Sequence, residues 1–383
     1  MQFVAVVFWL SAAAIVYTHL GYPLLLWLLV RLRRRPRATG SDTAGAEPAA
    51  EPPRVSLLVA AYDEEEVIAA KVANALALDY PRERLEIVVA SDGSTDATAE
   101  RARAAGADLV LELPRGGKLA TQNAAAERAT GEILAFSDAN SSWHPDALRQ
   151  LVAPFVDPEV AYVCGQVRFL DAAGDNLEGA YWRYEMALRQ MESSLAGVTA
   201  GNGAIYAVRA ADYLPLDRAG SHDLSFPFAF AKRAKRSLYA PAARAEEKMV
   251  PTMEGEFARK RRMMVGIWDI VVGERMISPR GYSPLYALEL FSHRVLRYLS
   301  PFLHLLAFLS NLLLLGSGTV YVVTYGVQVA AIAAGLLGGS LPLAPLRIAR
   351  YYWLTTFSIA AGLWDRLRRG RPAGAWEKAP GTR

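Results

Sequence analysis

Residues 85–96 read LEIVVASDGSTD, an apolar run of strand length that ends in a cluster of small and acidic polar residues. Residues 55–65, VSLLVAAYDEE, have the same design, since an apolar run again ends in acidic side chains. Apolar runs of about four to eight residues that end in turn-forming residues are typical of buried strands. The two segments therefore predict two strands with polar ends.

Further strands and helices follow from the same reasoning along the middle of the chain. We predict strands over residues 55–61, 85–90, 107–111 and 132–136, and helices over residues 64–78, 96–105, 119–129 and 145–155. This alternation indicates an α/β fold with a mostly parallel sheet flanked by helices. Such sheets bind ligands outside the carboxyl ends of their strands, so polar residues that follow the strands are candidate site residues.

A polar cluster lies at or near each of the four predicted strand ends. The clusters contain Asp63 with Glu64–Glu66, Asp92, Gly117 and Lys118 with Asn123, and Asp138 with Asn140. Asp63 and Asp92 can accept hydrogen bonds from a ribose or a base, and Lys118 can supply positive charge to a phosphate. Asp138 and Asn140 offer hard oxygens to Mg²⁺ or Mn²⁺. Any one cluster could be a turn or a cap, but four at successive strand ends indicate a nucleotide pocket.

Other nucleotide-binding classes are disfavoured. No Gly-x-Gly-x-x-Gly follows the first strand and no phosphate-loop motif occurs, which argues against a nicotinamide dehydrogenase and a P-loop NTPase. The single cysteine, Cys164, excludes an internal disulfide framework. The formal net charge is +4, and the positive residues cluster beside apolar segments. That pattern indicates a membrane surface rather than a nucleic-acid partner.

The N-terminal segment of residues 3–30 contains no Asp, Glu, Lys or Arg, and five arginines follow between Arg31 and Arg37. It is long enough to cross a hydrocarbon core of about 30 Å. Because the charge follows the apolar run and no cleavage site is evident, an uncleaved anchor is favoured over a signal peptide. The positive-inside rule then places the N-terminus outside and the residues after Arg31 in the cytoplasm.

The C-terminal third is apolar again, with spans predicted over residues 295–315 and 319–337. The last apolar stretch, residues 351–364, is short and basic at both ends. A full fourth span would place four arginines outside, against the positive-inside rule. An interfacial or re-entrant helix avoids this conflict, and a thin fourth span is the alternative. We therefore predict a multi-pass protein of the inner or plasma membrane with a cytoplasmic middle domain.

The predicted organisation follows from these segments. It comprises an N-terminal membrane helix (1–30), a basic flexible linker (31–53), a cytoplasmic domain (54–255), an interfacial amphipathic region (256–292), a C-terminal membrane region (293–365) and a basic cytoplasmic tail (366–383).

Over residues 54–266 the sequence resembles family 2 glycosyltransferases, inverting enzymes of the GT-A fold. The motifs that carry the resemblance are residues 55–65, residues 91–96, Gly117-Lys118 with Asn123, and residues 137–140 (SDAN). The resemblance implies that Asp63 and Asp92 hold the nucleoside of a UDP- or GDP-sugar, and that Asp138 holds a metal ion and the pyrophosphate. Asn140 stands where the family's Asp-x-Asp motif has its second aspartate, so weaker metal binding is expected.

The family's catalytic base lies on an acidic motif beyond the first sheet, where this chain has Ser221-His222-Asp223. The resemblance implies that Asp223 takes the proton of the acceptor hydroxyl, and a helix cap is its alternative role. Asp223 is expected to open a helix over residues 224–234. For His222, an acceptor-side hydrogen bond and simple exposure are both open. Asn202 lies in a loop that borders the donor sugar and acceptor in the family, or is part of a plain turn.

Polymer-forming members of the family carry a Gln-x-x-Arg-Trp motif, and Arg259, Arg262 and Met263 occupy its three positions here. Two of the three residues depart from the motif, which favours transfer of a single sugar over processive synthesis. Arg259 and Arg262 can still assist the diphosphate or form the basic face of a membrane-surface helix, and the two roles are compatible.

The sequence therefore predicts a non-processive, inverting glycosyltransferase with a nucleotide-sugar donor, Mg²⁺ or Mn²⁺, and a lipid-linked, lipid or glycan acceptor at the bilayer. One alternative is a membrane-tethered nucleotide-sugar-binding scaffold without turnover, which Asn140 leaves open. The other is a nucleotidyltransferase, which is expected to carry a glycine- and basic-rich loop after the first strand, where this chain is acidic.

Overall fold

The computed structural model describes residues 1–33, 51–170, 179–216, 220–248, 253–341 and 343–370. Most of the predicted linker and the end of the predicted tail, residues 34–50 and 371–383, lie outside the described residues. The chain divides into two compact units. The helical unit comprises residues 1–31, 252–268 and 288–371, and the sheet unit comprises residues 32–251, 269–287 and 372–383, each where described.

The regular elements are numbered along the chain. The strands are β1 Val55–Ala61, β2 Leu85–Asp92, β3 Leu109–Leu113, β4 Ile133–Asp138, β5 Ser142–Trp143, β6 Val160–Leu170, β7 Ile205–Arg209 and β8 Arg236–Lys248. The α-helices are α1 Gln2–Val16, α2 Tyr22–Leu32, α3 Ile68–Leu76, α4 Thr98–Ala104, α5 Lys118–Arg128, α6 Ala147–Val152, α7 Ala180–Leu195, α8 His222–Ala231, α9 Met253–Trp268, α10 Pro284–Leu290, α11 Leu296–Leu313, α12 Thr319–Leu337 and α13 Ala344–Arg369. Short 3-10 segments are Arg82–Arg84, Ala153–Val156, Ala210–Asp212 and Leu315–Ser317, and π-helical turns are Tyr17–Gly21, Asp269–Gly273 and Phe291–Val295.

The sheet unit is built on one sheet of eight strands in the order β3-β2-β1-β4-β7-β6-β8-β5. Strands β3, β2, β1 and β4 are mutually parallel, so their carboxyl ends share one edge. Strand β7 is antiparallel to β4 and β6, while β8 is parallel to β6 and antiparallel to β5. This mixed α/β sheet with flanking helices confirms the predicted fold class, and its parallel half contains the four predicted strands.

The central strand β1 is buried at every position because both faces of the sheet are covered. Leu57 and Leu58 point to opposite faces and belong to two separate core clusters. Full burial of each leucine contributes about 1.5–3 kcal/mol. This two-sided burial explains why the strand sequences are continuous apolar runs rather than alternating ones.

Three element boundaries near the parallel strands differ from the prediction in ways that affect the site. Strands β2 and β4 run two residues further than predicted, so Asp92 and Asp138 are the last residues of their strands. Helix α3 begins at Ile68 rather than at Glu64, so the predicted earlier start is wrong. Residues 64–67 instead form a turn closed by the bond from the Val67 N–H to the Glu64 oxygen at 3.1 Å, and the Glu64 N–H donates to the Thr98 hydroxyl at 2.8 Å.

In the helical unit, three helical stretches of the described residues are long and apolar enough to cross a membrane, namely Gln2–Leu32, Pro284–Leu313 and Thr319–Leu337. They cover the three predicted spans, and the second begins earlier than predicted. Many of their exposed side chains are large and apolar, such as Phe3 at 79% and Leu336 at 73% exposure. Exposed apolar surface of this kind is typical of membrane contact.

The fourth apolar segment forms the long helix α13, which is not among the three candidate spans of the described chain. It packs closely on α9, since a Cβ at Gly362 would lie 2.5 Å from the Cβ of Met264. Arg261 also binds the Asp365 carboxylate through two nitrogens, at 2.6 and 2.7 Å. Helix α13 therefore packs against α9 along one face. Such packing is compatible with an interfacial helix.

Candidate functional site

The Asp92 carboxylate holds the loop that follows β3. It has no solvent exposure. One of its oxygens accepts hydrogen bonds from the N–H groups of Gly116 and Gly117 at 2.7 and 3.0 Å, and the other accepts one from Arg115 at 2.8 Å. Residue 93 must be glycine for the loop to pass so close to it, because its φ is +66° and a Cβ there would lie 2.9 Å from the backbone nitrogen of Arg115. Asp92 thus fixes the loop rather than presenting a carboxylate to solvent.

Arg115 and Tyr62 form a stacked pair beside this loop. The guanidinium carbon lies 3.2 Å from the centre of the Tyr62 ring, and the Arg115 side chain is 37% exposed. A planar cation on an aromatic ring is a stable arrangement and offers a flat surface. Neither residue was predicted as a site residue, although Tyr62 directly precedes Asp63 and Arg115 lies two residues before Gly117.

Asp63 ties the end of β1 to the loop after β2. Its backbone N–H donates to the Ser94 hydroxyl at 3.0 Å, and its carboxylate accepts from the Thr95 N–H at 2.8 Å. Its φ of +47° is a left-handed conformation that aspartate tolerates better than most residues. The structure therefore brings Asp63 and the loop after Asp92 to the same edge, as predicted.

Lys118 and Asp138 form an ion pair at this edge. Lys118 is the first residue of α5, Asp138 is the last of β4, and the ammonium donates to the carboxylate. Burial alone would lower the Lys118 pKa, but the charge of Asp138, its hydrogen bond and the charges of Glu247 and Asp223 raise that pKa above its usual value. Lys118 therefore carries a positive charge, which interacts with the carboxylates of Asp138, Glu247 and Asp223.

Asp223 lies in the first turn of α8, near the same ion pair. The helix begins after Ser221, whose hydroxyl donates to the Asp223 carboxylate. Asp223 follows the cap position, so its side chain does not cap the helix. Its backbone oxygen accepts a hydrogen bond from Gly201 at 2.7 Å, which joins α8 to the loop of residues 201–203. Helix α8 begins at His222, two residues before the predicted start.

The loop of residues 201–203 borders the ion pair. A Cβ at Gly203 would lie 3.6 Å from the Lys118 ammonium and 3.9 Å from an Asp138 oxygen. Asn202 turns away from the pair, because its amide donates to the Gly165 oxygen at 2.7 Å and its own oxygen accepts from Ile205 at 2.9 Å. In this structure Asn202 shapes the loop that lies beside the site.

His222 is a core residue, so the prediction of simple exposure is wrong, and the acceptor-side hydrogen bond stays a prediction. It is 4% exposed, and its ring stacks on Phe226 with centroids 4.2 Å apart. Its two nitrogens face the hydroxyls of Tyr206 at 2.7 Å and Tyr213 at 3.5 Å. Burial, with the charge of Lys118 adding to it, lowers the His222 pKa to about 3. Aromatic residues nearby in the fold but distant in sequence created this environment, and no local pattern revealed it.

Lys71 is a buried lysine that was not predicted as a site residue. It lies on α3, is 3% exposed, and donates to the Ser141 oxygen at 2.8 Å. Burial lowers its pKa to about 7, and the nearby charges of Asp138 and Glu247 oppose that shift. Its position among apolar helix residues gave no signal in the sequence.

The residues that could hold a divalent ion are Asp138 and Asn140. Within the described ranges, no group of three or more His, Cys, Asp or Glu side chains could hold a metal by itself. Mg²⁺ and similar ions are often bound by one or two protein oxygens together with substrate phosphates. The donor set at this edge therefore fits an ion that is shared with a diphosphate, and it does not fit an all-protein metal cage.

Arg259 and Arg262 lie on α9 in the helical unit, whereas the other candidate site residues lie in the sheet unit. Arg262 is exposed, and Arg259 contacts the Met263 sulfur at 3.7 Å on the same helix. Helix α9 contains both basic and apolar side chains, and its amphipathic role stays a prediction.

Several known proteins are similar to this chain in sequence. The chain is 31% identical to glycosyltransferase AglE of Haloferax volcanii over 122 residues, which cover 30% of this chain and 40% of AglE. It is 29% identical to the β-monoglucosyldiacylglycerol synthase of Nostoc sp. over 256 residues, which cover 58% of this chain and 52% of that enzyme. The chain thus spans about half the length of these curated relatives, or less.

A solved structure has a similar fold along nearly the whole chain. This is the mannosyltransferase PcManGT from Pyrobaculum calidifontis in complex with GDP-Man and Mn²⁺, with a TM-score of 0.72 and 24% identity. The similarity covers 94% of this chain and 100% of that chain. Residues 56–214 match the family described as glycosyl transferase family 2. This match identifies residues 56–214, which include most of the motifs at the strand ends, as a glycosyl transferase family 2 domain.

Proposed function

We propose that the protein is an inverting glycosyltransferase that moves one sugar from a nucleoside-diphosphate sugar to a membrane-proximal acceptor. The observation that carries the proposal is the gathering of Lys118, Asp138 and Asp223 at the carboxyl edge of the parallel strands. A cation for the diphosphate, oxygens for a metal and a carboxylate for proton transfer are the groups that this reaction requires.

The donor nucleotide would occupy the edge formed by the loops after β1, β2 and β3. The stacked Tyr62–Arg115 pair offers a flat surface to a base, and Asp63 offers an acceptor to the ribose or base. Asp92 contributes by fixing the loop that ends at Lys118. We expect a UDP- or GDP-sugar, and the fold neighbour in complex with GDP-Man supports the same class of donor.

Asp138 and Asn140 would hold Mg²⁺ or Mn²⁺ with the diphosphate, and such an ion supplies positive charge that stabilises the departing phosphate oxygens. The Mn²⁺ in the complex of the fold neighbour supports a divalent ion. Lys118 adds a second positive charge at the same place, because it lies against Asp138. The neutral Asn140 makes this fixed cation more important than it would be beside two carboxylates.

Asp223 would act as the general base. It takes the proton from the acceptor hydroxyl, whose oxygen forms a bond to the anomeric carbon of the donor sugar. The bond from that carbon to the diphosphate breaks on the opposite face, and the nucleoside diphosphate leaves with the bonding electrons. The configuration at the anomeric carbon is therefore inverted. The carboxylate is poised by the Ser221 hydroxyl and by its place in the first turn of α8.

The acceptor is expected to be a lipid, a lipid carrier or a membrane-bound glycan. Three helical stretches that could cross a membrane support this, as does the similarity to enzymes named β-monoglucosyldiacylglycerol synthases. Arg259 and Arg262 on the amphipathic helix α9 would contact the diphosphate or the lipid headgroups. The positive-inside rule favours a multi-pass protein with its sheet unit in the cytoplasm. The departure of Arg259 and Met263 from the Gln-x-x-Arg-Trp pattern favours addition of a single sugar.

The test is sugar transfer and donor hydrolysis by the purified protein in detergent with Mn²⁺. We expect Asp223→Asn to lower turnover by about 10²–10⁴-fold while nucleotide affinity is retained, since only proton transfer is lost. Glu100→Gln, an exposed acid on α4, is the matched control and should keep full activity. Full turnover by Asp223→Asn would remove the base role, and donor binding without any turnover by the wild type would favour the scaffold alternative.

A further inference from the structure

Helix α3 holds the segment that follows β4 through three hydrogen bonds. The Lys71 ammonium donates to the Ser141 oxygen at 2.8 Å. One helical turn later, the Asn74 amide donates to the Trp143 oxygen at 2.9 Å and its oxygen accepts from the Trp143 N–H at 2.9 Å. Residues 141–143 follow directly on Asp138 and Asn140, so α3 fixes the segment that carries the proposed metal and diphosphate oxygens.

Strand β8 fixes the same segment from another direction. Ser142 and Trp143 pair with Glu246 and Ala245 as the short strand β5. His144 also contacts the Glu246 carboxylate at 3.0 Å. The segment after Asp138 is thus held by backbone and side-chain hydrogen bonds from both α3 and β8.

Because the segment already has these hydrogen bonds, holding it in place does not require the charged side chain of Lys71. Lys71 is 3% exposed, and its nitrogen lies 5.1 Å from the centre of the Trp143 ring. Placing an ionisable group in such surroundings is costly unless other charges and hydrogen bonds compensate it. The charges of Asp138 and Glu247 act on Lys71. They also act on Lys118, so the two lysines and two carboxylates form one charge cluster, of which Lys71 is the buried member.

We propose that Lys71 is a positioning residue for the donor diphosphate: its hydrogen bond to Ser141 sets the segment of residues 138–141, and its protonated form balances the charges of Asp138 and Glu247. The inference rests on the proposed function, because it assigns Lys71 to the same diphosphate site. Without the charge of Lys71, Lys118 would be drawn into balancing two carboxylates and would be less able to attract phosphate oxygens.

Three variants distinguish the effect of the Lys71 charge from the effect of its hydrogen bond. Lys71→Met removes both, Lys71→Gln retains a donor for the Ser141 oxygen without the charge, and Asn74→Ala loosens the same segment without changing a charge. For each we would measure the affinity for UDP and GDP by calorimetry with and without Mn²⁺, the kcat and KM for the donor, and the Tm in detergent.

We expect Lys71→Met and Lys71→Gln to weaken nucleoside-diphosphate binding by about tenfold or more. The Tm of Lys71→Met should fall, because the Ser141 oxygen loses its donor and the two carboxylates lose a balancing charge. Asn74→Ala should also lower the Tm, but its affinity should stay within about threefold of the wild type. A merely structural lysine would lower the Tm and leave affinity unchanged.

The same measurements distinguish a failure of the role given to Lys71 from a failure of the proposed function. If the wild type binds UDP or GDP and Lys71→Gln binds as tightly, the positioning role of Lys71 is overturned while the proposed function stands. If the wild type binds neither nucleotide, the proposed function and this inference fall together. If Lys71→Met does not fold, Lys71→Gln decides the question with the same measurements.

Discussion

The buried carboxylate of Asp92 accepts a hydrogen bond from the half-exposed guanidinium of Arg115 at 2.8 Å. This bond keeps Arg115 over the Tyr62 ring. The outer surface of the proposed nucleotide pocket thus depends on a side chain at the end of β2 that makes no contact with solvent.

Arg115→Lys is expected to weaken nucleotide binding by about tenfold, because lysine keeps the charge but lacks the planar fork that both stacks on Tyr62 and binds Asp92. Calorimetric titration with UDP and GDP measures this loss. Arg101→Lys on α4 is the control and should bind as the wild type does. Equal affinities for Arg115→Lys and the wild type would show that the stacked pair has no part in binding.

Asp92→Asn is expected to lower the stability of the sheet unit by about 2 kcal/mol, since one buried oxygen that accepts hydrogen bonds becomes an NH₂ group that faces donors. A loss of this size lowers the Tm of a unit of this length by roughly 4–8 °C. Thermal unfolding in detergent, followed by circular dichroism, tests the prediction. An unchanged Tm would contradict the anchoring role given to Asp92.

Gly201→Ala and Gly203→Ala form a matched pair. A Cβ at Gly201 would overlap the Tyr162 hydroxyl, whereas a Cβ at Gly203 has its nearest neighbour, the Lys118 ammonium, at 3.6 Å. We expect Gly201→Ala to cost about 1–3 kcal/mol of stability through overpacking. Gly203→Ala should unfold as the wild type does but raise the KM for the donor, because its methyl group enters the site. The opposite order of the two Tm values would refute this geometry.

His222 makes stability depend on pH in a defined window. Its pKa of about 3 in the folded protein lies below the usual 6.5, so the unfolded chain binds the proton first as the pH falls. Its contribution to stability is therefore lost between about pH 6.5 and pH 3, by at most about 1.4 kcal/mol per pH unit. His222→Phe should lower the Tm at pH 7.5 yet show a shallower fall of Tm from pH 7 to pH 5. Parallel curves for the two proteins would be inconsistent with a buried neutral His222.

In the helical unit, Gly362→Ala should destabilise the α9–α13 pair by about 1–3 kcal/mol, because the added methyl group would lie 2.5 Å from the Met264 Cβ. Asp365→Asn should cost about 1 kcal/mol or less, since the Arg261 side chain it pairs with is 41% exposed. Tm values in one detergent rank the two variants. A larger loss for Asp365→Asn would mean that charge, rather than close packing, holds the helices together.

The parallel half of the sheet and its polar strand ends were predictable because both are local features. The apolar runs that begin at Val55, Leu85 and Ile133 each stop within two residues of the end of their strand. The placement of Asp92 and Asp138 at one edge followed from parallel pairing alone. The three candidate membrane spans were likewise predictable, since length and hydropathy are properties of single segments.

The surroundings of individual side chains were not predictable in this way. The burial of His222 depends on Tyr206 and Tyr213, and that of Lys71 depends on Ser141 and Trp143, none of which is adjacent to it in the sequence. The other half of the sheet, which contains both parallel and antiparallel pairs, brings β6, β7 and β8 together across long connections. Pairings between distant segments leave no periodic signal in either segment.

The most direct test of the donor site is calorimetric titration of UDP and GDP into the wild-type protein, Lys118→Met and Asp138→Asn, with and without Mn²⁺. The account predicts that at least one nucleotide binds the wild type at a single saturable site, more tightly with Mn²⁺. Each variant should weaken that binding by about tenfold or more. Equal binding by all three proteins, or no binding of either nucleotide to the wild type, would contradict it.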